Sequence, residues 1–121
     1  MKLLLLCLGL HYVADFTLQG WLAQAKCKLW WRKYAPDKLY QDDWLCALLA
    51  HSIYWTLVTF APVIYFWDKQ EWRLLLLVLI NSLFHATVDN EKANLKTISL
   101  GTDQTLHLLQ IVITLVIFKY R

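Results

Sequence analysis

The chain has 121 residues, 59% of them apolar and 17% charged, with a formal net charge of +3. That length holds one domain, 1–121, and the apolar share exceeds the roughly 45–50% of an ordinary soluble domain. Three Gly and two Pro exclude disordered, collagen-like and low-complexity classes.

Four apolar segments follow in chain order. Leu3 to Ala25 carries one formal charge, Asp15. It begins like a signal peptide, but the apolar run outlasts the usual 7–15 or so residues without a clean small-residue cleavage site, so a retained helix is expected. Residues 26–41 form a basic linker in which Lys26, Lys28, Arg32, Lys33 and Lys38 stand against Asp37, interleaved with Trp30, Trp31, Tyr34 and Tyr40. Trp44 to Trp67 is 24 residues without a formal charge, kinked at Pro62. Residues 68–71 read as a tight turn. Leu74 to Val88 and Gln104 to Phe118 are 15 uncharged residues each, joined by the polar stretch 91–102.

A transmembrane helix needs about 20 mainly apolar residues. The first two segments meet that length and the last two reach it with their ends, so helices are expected near 3–25, 43–67, 72–90 and 103–119. Thr102 is the expected N-cap of the last. Six of the seven tryptophans lie at or near segment ends, where amphipathic rings collect at headgroup level. The expected fold class is all-α, a four-helix transmembrane bundle with a buried polar His/Asp centre. Cys7, Cys27 and Cys46 form no disulfide framework.

The chemistry concentrates on narrow polar lines. All four histidines, His11, His51, His85 and His107, fall inside the expected helices. Three have an aspartate four residues away: Asp15, Asp89 and Asp103. Residues i and i+4 share a helix face, so each pair aims an imidazole and a carboxylate at one point. In an antiparallel bundle these groups fall toward the side of the 26–41 and 91–102 linkers. His11, Asp15, His51, His85, Asp89, Asp103 and His107 are therefore expected to converge.

That nitrogen/oxygen donor set suits zinc, with manganese or iron as further fits. Its alternative is a metal-free network in which His–Asp pairs satisfy each other or relay protons. Gln19 ends the first polar line, and Lys92 and Lys96 extend the third toward the headgroups. These three are the candidate substrate contacts, the lysines recognising an anion or snorkelling from a helix end. Residues 26–41 either hold anionic lipid headgroups or serve as a positive-inside loop.

The element His11-Tyr-Val-Ala-Asp15-Phe16-Thr-Leu18-Gln19 resembles the opening signature of a family of small bacterial and phage membrane proteins called domain of unknown function 3307. His51, His85-x-x-x-Asp89-x-x-Lys92 and Asp103-Gln104-x-x-His107 match in the same order, across nearly the whole chain. The chain departs from the family at Asn90, where an aromatic residue is usual. The family's pattern is similar to that of predicted membrane-bound metal-dependent hydrolases, and the resemblance implies that activity by analogy.

The expected function is a membrane-embedded metal-dependent hydrolase of a lipid or another amphipathic substrate. The four histidines would be the leading ligands. Asp15, Asp89 and Asp103 would ligate, orient imidazoles or act as general base. The alternatives are a proton or ion pathway, a structural metal bundle, or a small phage-type membrane interaction protein. Expected partners are the lipid bilayer, headgroups along 26–41 and a second copy of the chain; no nucleic-acid motif is present. The expected location is a bacterial inner membrane. The linkers hold seven Lys/Arg against five on the opposite side, which favours cytoplasmic linkers.

Overall fold

The computed structural model describes residues 1–120. Among them all regular structure is helical. In chain order the α-helices are α1 (Lys2–Tyr12), α2 (Leu22–Ala25), α3 (Lys28–Tyr34), α4 (Asp43–Thr59), α5 (Ala61–Tyr65), α6 (Glu71–Asn90) and α7 (Leu100–Lys119). A 3-10 turn covers Lys38–Tyr40, and π-helical turns cover Val13–Thr17 and Glu91–Leu95.

Two expected helices are recovered closely and two are corrected. The span expected at 72–90 is α6, continued by the π turn to Leu95. The span expected at 103–119 begins three residues earlier, because Ser99 and not Thr102 is its N-cap. The Ser99 hydroxyl accepts from the Thr102 amide at 3.2 Å. That fills one of the four donors a helix start leaves unpaired.

The helix expected at 3–25 is not continuous. α1 passes into the π turn at Val13, and Gly20 then adopts φ +54, a left-handed conformation that suits glycine and ends the helix. The helix expected at 43–67 breaks at Phe60, and Pro62 sits in the first turn of α5, where its missing amide costs nothing. Only Glu71–Leu95 and Leu100–Lys119 are each long and apolar enough to cross a membrane among the described residues.

Packing divides the interior into two layers. Cys7, Ala14, Trp55, Phe60, Val63 and Ile111 form an apolar cluster where α1, α4, α5 and α7 meet. Polar groups are buried beside it: the four histidines, the three paired aspartates, Ser52, Asn81, Ser82, Gln110 and Thr114, among apolar Leu48, Leu77, Ala86 and Val88. The outer faces are the reverse. Leu5, Leu75, Leu79, Ile80, Ile113 and Ile117 are all more than half exposed, with Leu75 at 70%. Sequence periodicity dictates this inversion, because polar residues recur at helical spacing among leucines.

Candidate metal centre

Asp89 is the hub of the polar layer. It lies in the last turn of α6, one turn beyond His85 on the same face. Its Oδ2 is 3.3 Å from Nε2 of His51 and 3.6 Å from Nε2 of His85, while its Oδ1 is 3.5 Å from Nε2 of His107. The His51 and His85 Nε2 atoms are 3.2 Å apart. Asp15 approaches His51 at 3.7 Å, and Asp103 approaches His107 at 3.4 Å. All seven residues expected to converge are buried here.

The donors could hold a metal ion. Three overlapping groups, Asp15/His51/His85, His85/Asp89/His107 and Asp15/Asp103/His107, each bring three ligand atoms within 4.8 Å of one another. The triangle of His51 Nε2, His85 Nε2 and Asp89 Oδ2 has edges of 3.2, 3.3 and 3.6 Å. Tetrahedral zinc with ligands near 2.0–2.1 Å has an edge of about 3.4 Å. Imidazole orientation comes from ring packing. His85 stacks on Trp55 at 4.1 Å and on His107 at 4.2 Å. The Nδ1 atoms of His51, His85 and His107 find no hydrogen-bond partner among the described residues.

His11 takes a different place from the ligand position expected of it. The Trp55 indole, which can only donate, gives its N–H to His11 Nδ1 at 3.0 Å. His11 therefore carries its proton on Nε2 and donates it to Gln104 Oε1 at 3.1 Å. The Gln104 amide donates in turn to Asp15 Oδ2 at 2.9 Å and Asp103 Oδ2 at 3.0 Å. Both imidazole nitrogens are spent, and His11 belongs to none of the three ligand groups. It directs a one-way hydrogen-bond chain that orients two carboxylates.

The candidate substrate contacts separate. Lys92 donates to Asp103 Oδ2 at 2.9 Å and is one-third exposed, so it reaches both the site and its rim. Gln19 donates its amide to the Asp15 backbone carbonyl, supporting that turn. Lys96 is exposed, outside the cluster, at φ 57 in a left-handed cap that ends the π turn.

Sequence reasoning missed three members of the site. Lys26 is buried and its ammonium donates to Asp89 Oδ2 at 2.5 Å. Its turn is held by Asn94, which accepts from the Lys28 amide at 2.7 Å and donates to the Lys26 carbonyl at 3.0 Å. Gln104 and Trp55 are the other two. Gln104 is marked by adjacency to Asp103 and by its place in the Asp103-Gln104-x-x-His107 element, without a role, and Trp55 by being the one central tryptophan, a turn beyond His51. With neutral imidazoles, the carboxylates of Asp15, Asp89 and Asp103 against the ammoniums of Lys26 and Lys92 leave one net negative charge. No family model, curated protein or solved structure matches the chain.

Proposed function

We propose that the chain is a membrane-embedded, metal-dependent hydrolase of a lipid or another amphipathic ester. The observation that carries this reading is the His51–His85–Asp89 triangle, with edges suited to zinc, buried in a bundle whose outer faces are apolar. The membrane part has further support. α6 and α7 have spanning length, and two further apolar segments stand beside them, α1 with its π turn and α4 followed, after the break at Phe60, by α5. This reading pairs those two helices with the composite segments α1 and α4–α5 as a four-helix bundle in lipid. The motif resemblance to domain of unknown function 3307 points the same way.

In this reading His51, His85 and Asp89 hold the ion, with His107 beside them. A bound divalent cation supplies a Lewis acid and acidifies water. Asp103 keeps Oδ2 on Lys92 and Gln104 and turns Oδ1 toward His107, placed to take a proton from water. Lys92, at the rim, meets an anionic part of the substrate. A divalent cation would turn the cluster's net charge from minus one to plus one, which would favour an anionic substrate group beside it.

A second reading is a proton pathway without metal. It is favoured by the Lys26 ammonium on Asp89 and by the hydrogen-bond chain from Trp55 through His11 and Gln104 to Asp15 and Asp103. Here one imidazolium would balance the cluster. Elemental analysis after chelator-free purification in mild detergent separates the two. Wild type should carry about one zinc or more per chain, and His85→Ala should lower metal affinity by more than about 10–100-fold, the cost of losing even an outer partner. Metal-free wild type from metal-replete cells, with no cobalt uptake by absorbance, would leave the proton pathway.

A further inference from the structure

A hollow in the fold lies away from the His/Asp cluster. It is a groove of about 430 Å³ between α6 and α7, walled by apolar side chains, with Trp67, Trp72 and Arg73 at one end and Phe84 at the other. We propose that this groove is a binding site for one phospholipid, which lays a single acyl chain between the two helices and sets its phosphate at Arg73. The proposal rests on the membrane reading above and adds a ligand to it.

Length is the first argument. From Trp72 to Phe84 the groove follows α6 for about 18 Å. Half of a hydrocarbon core is about 15 Å deep. The groove is thus one leaflet deep and suits one chain of one lipid.

Chemistry of the mouth is the second. Trp67 and Trp72 are rings of the kind that settle at headgroup level. The Arg73 guanidinium lies 5.3 Å from the Trp72 ring centroid, which steadies the side chain. Its fork of donors matches phosphate oxygens, and it is weakly hydrated. Among the described residues no carboxylate forms an ion pair with it. The neighbouring turn carries Asp68 and Glu71 beside Lys69, so the attraction comes from Arg73 itself and not from a basic patch.

The floor is the third. Gln110 Nε2 donates to the Asn81 backbone carbonyl and to Asn81 Oδ1 at 2.8 and 2.9 Å, and the Thr114 hydroxyl donates to Asn81 Oδ1 at 2.9 Å. These bonds tie up the floor's donors and the Asn81 oxygens and leave the groove largely apolar, as an acyl chain needs. Gln110 Oε1, on a side chain only 6% exposed, is the one floor oxygen with no donor among the described residues. A phosphate at Arg73 lies about 24 Å along α6 from Asp89. The bound lipid is a resident ligand and is not the molecule hydrolysed at the cluster.

The test uses full-length protein, stripped of lipid in mild detergent, incubated with dioleoyl phosphatidylglycerol or with dioleoylglycerol, and read by native mass spectrometry. Both probes have the same chains and only one has a phosphate. Wild type should retain one phosphatidylglycerol and bind dioleoylglycerol about tenfold more weakly, and Arg73→Gln should lose about tenfold for the phospholipid alone. Ile80→Trp should fill the groove and abolish retention of both. Ile80 is 56% exposed, so the change is tolerated by the fold, and Ile113→Trp on the facing wall repeats the test independently. Equal retention of the two probes, or unchanged retention in both tryptophan variants, overturns the proposal. Alkaline carbonate extraction tells the two failures apart. Release of wild type from membranes ends the membrane reading and this site with it, whereas non-selective binding by a protein that stays in membranes ends only the lipid site.

Discussion

Asp89 meets three imidazoles and the Lys26 ammonium, which makes it the side chain on which most of the buried charge depends. Removing one member of a buried ion pair leaves the other without a counter-charge and costs about 3–5 kcal/mol. Asp89→Asn should therefore destabilise the fold by that amount, and adding Lys26→Met should restore most of it. Unfolding in a mixed-detergent titration, followed by tryptophan fluorescence, measures both; an unrescued double variant would show that Lys26 is not the charge at risk. Trp55 acts through His11. Trp55→Phe keeps the ring stacking on His85 but removes the donor to His11 Nδ1, at a cost of about 1–3 kcal/mol for the buried acceptor left alone. Nitrogen-15 imidazole shifts should then show His11 losing its pure Nε2–H form. At this scale the sequence was informative where the chemistry is local. His85 with Asp89, and Asp103 with His107, follow from helical spacing alone. Lys26 was hidden because it sits in a run of lysines that look solvated, and only the Asn94 clasp turns it inward. The role of His11 was hidden because its two partners come from other helices.

Among the elements, α7 shows how a cap places a site residue. Ser99 fixes the first turn, and Asp103 stands one turn later, facing His107 and Lys92. Ser99→Ala should cost about 1 kcal/mol, as lost serine caps do. In the metal reading proposed above it should also weaken metal binding slightly, with Ser99→Asp restoring stability; thermal melts with parallel metal titration read both. The expected Thr102 cap failed for a simple reason. Ser99 and Thr102 are both good capping residues three apart, and the polar Gly101-Thr102 pair looks like linker until Leu100 is seen to be helical. The two π turns were not legible, since no residue pattern marks an i to i+5 bond. Each lies at the end of a helix that carries a His–Asp pair, His11–Asp15 on α1 and its turn, His85–Asp89 on α6. The break at Gly20 was missed because a lone glycine inside an apolar run weakens a helix by only about 1 kcal/mol in general. Its left-handed φ decides the matter.

At the scale of the whole molecule the arrangement of polarity is inverted, with ions inside and leucines outside. In lipid, burial of apolar surface does not drive helices together, so association rests on packing and on polar contacts across helices. In the membrane reading proposed above, the network around Asp89 supplies those contacts. A single exposed position then separates a lipid-facing surface from a watery one. Leu79 lies mid-way along α6 and is 55% exposed. Leu79→Arg should cost about 2.5–3.5 kcal/mol or more on insertion if the face meets hydrocarbon. The same change on a watery surface should stay within about 0.5 kcal/mol. Membrane yield of the variant against wild type and Leu79→Phe gives the measurement, and equal yields would place that face in water. The four-segment pattern was readable from hydropathy, but it reads composition and not continuity. That is why two of the four expected spans prove to be composite.

The ion pair between Lys26 and Asp89 joins residues 63 positions apart, and the contact of Gln104 with Asp15 joins residues 89 apart. At roughly 5–20 residues per second, translation leaves Lys26 waiting about 3–13 s for its carboxylate and Asp15 about 4–18 s for its amide donor. For that interval the amino-terminal half carries charges whose partners have not yet been made. The spacing of partners along the chain therefore works as a clock, and it sets how long the early helices must wait before they can close.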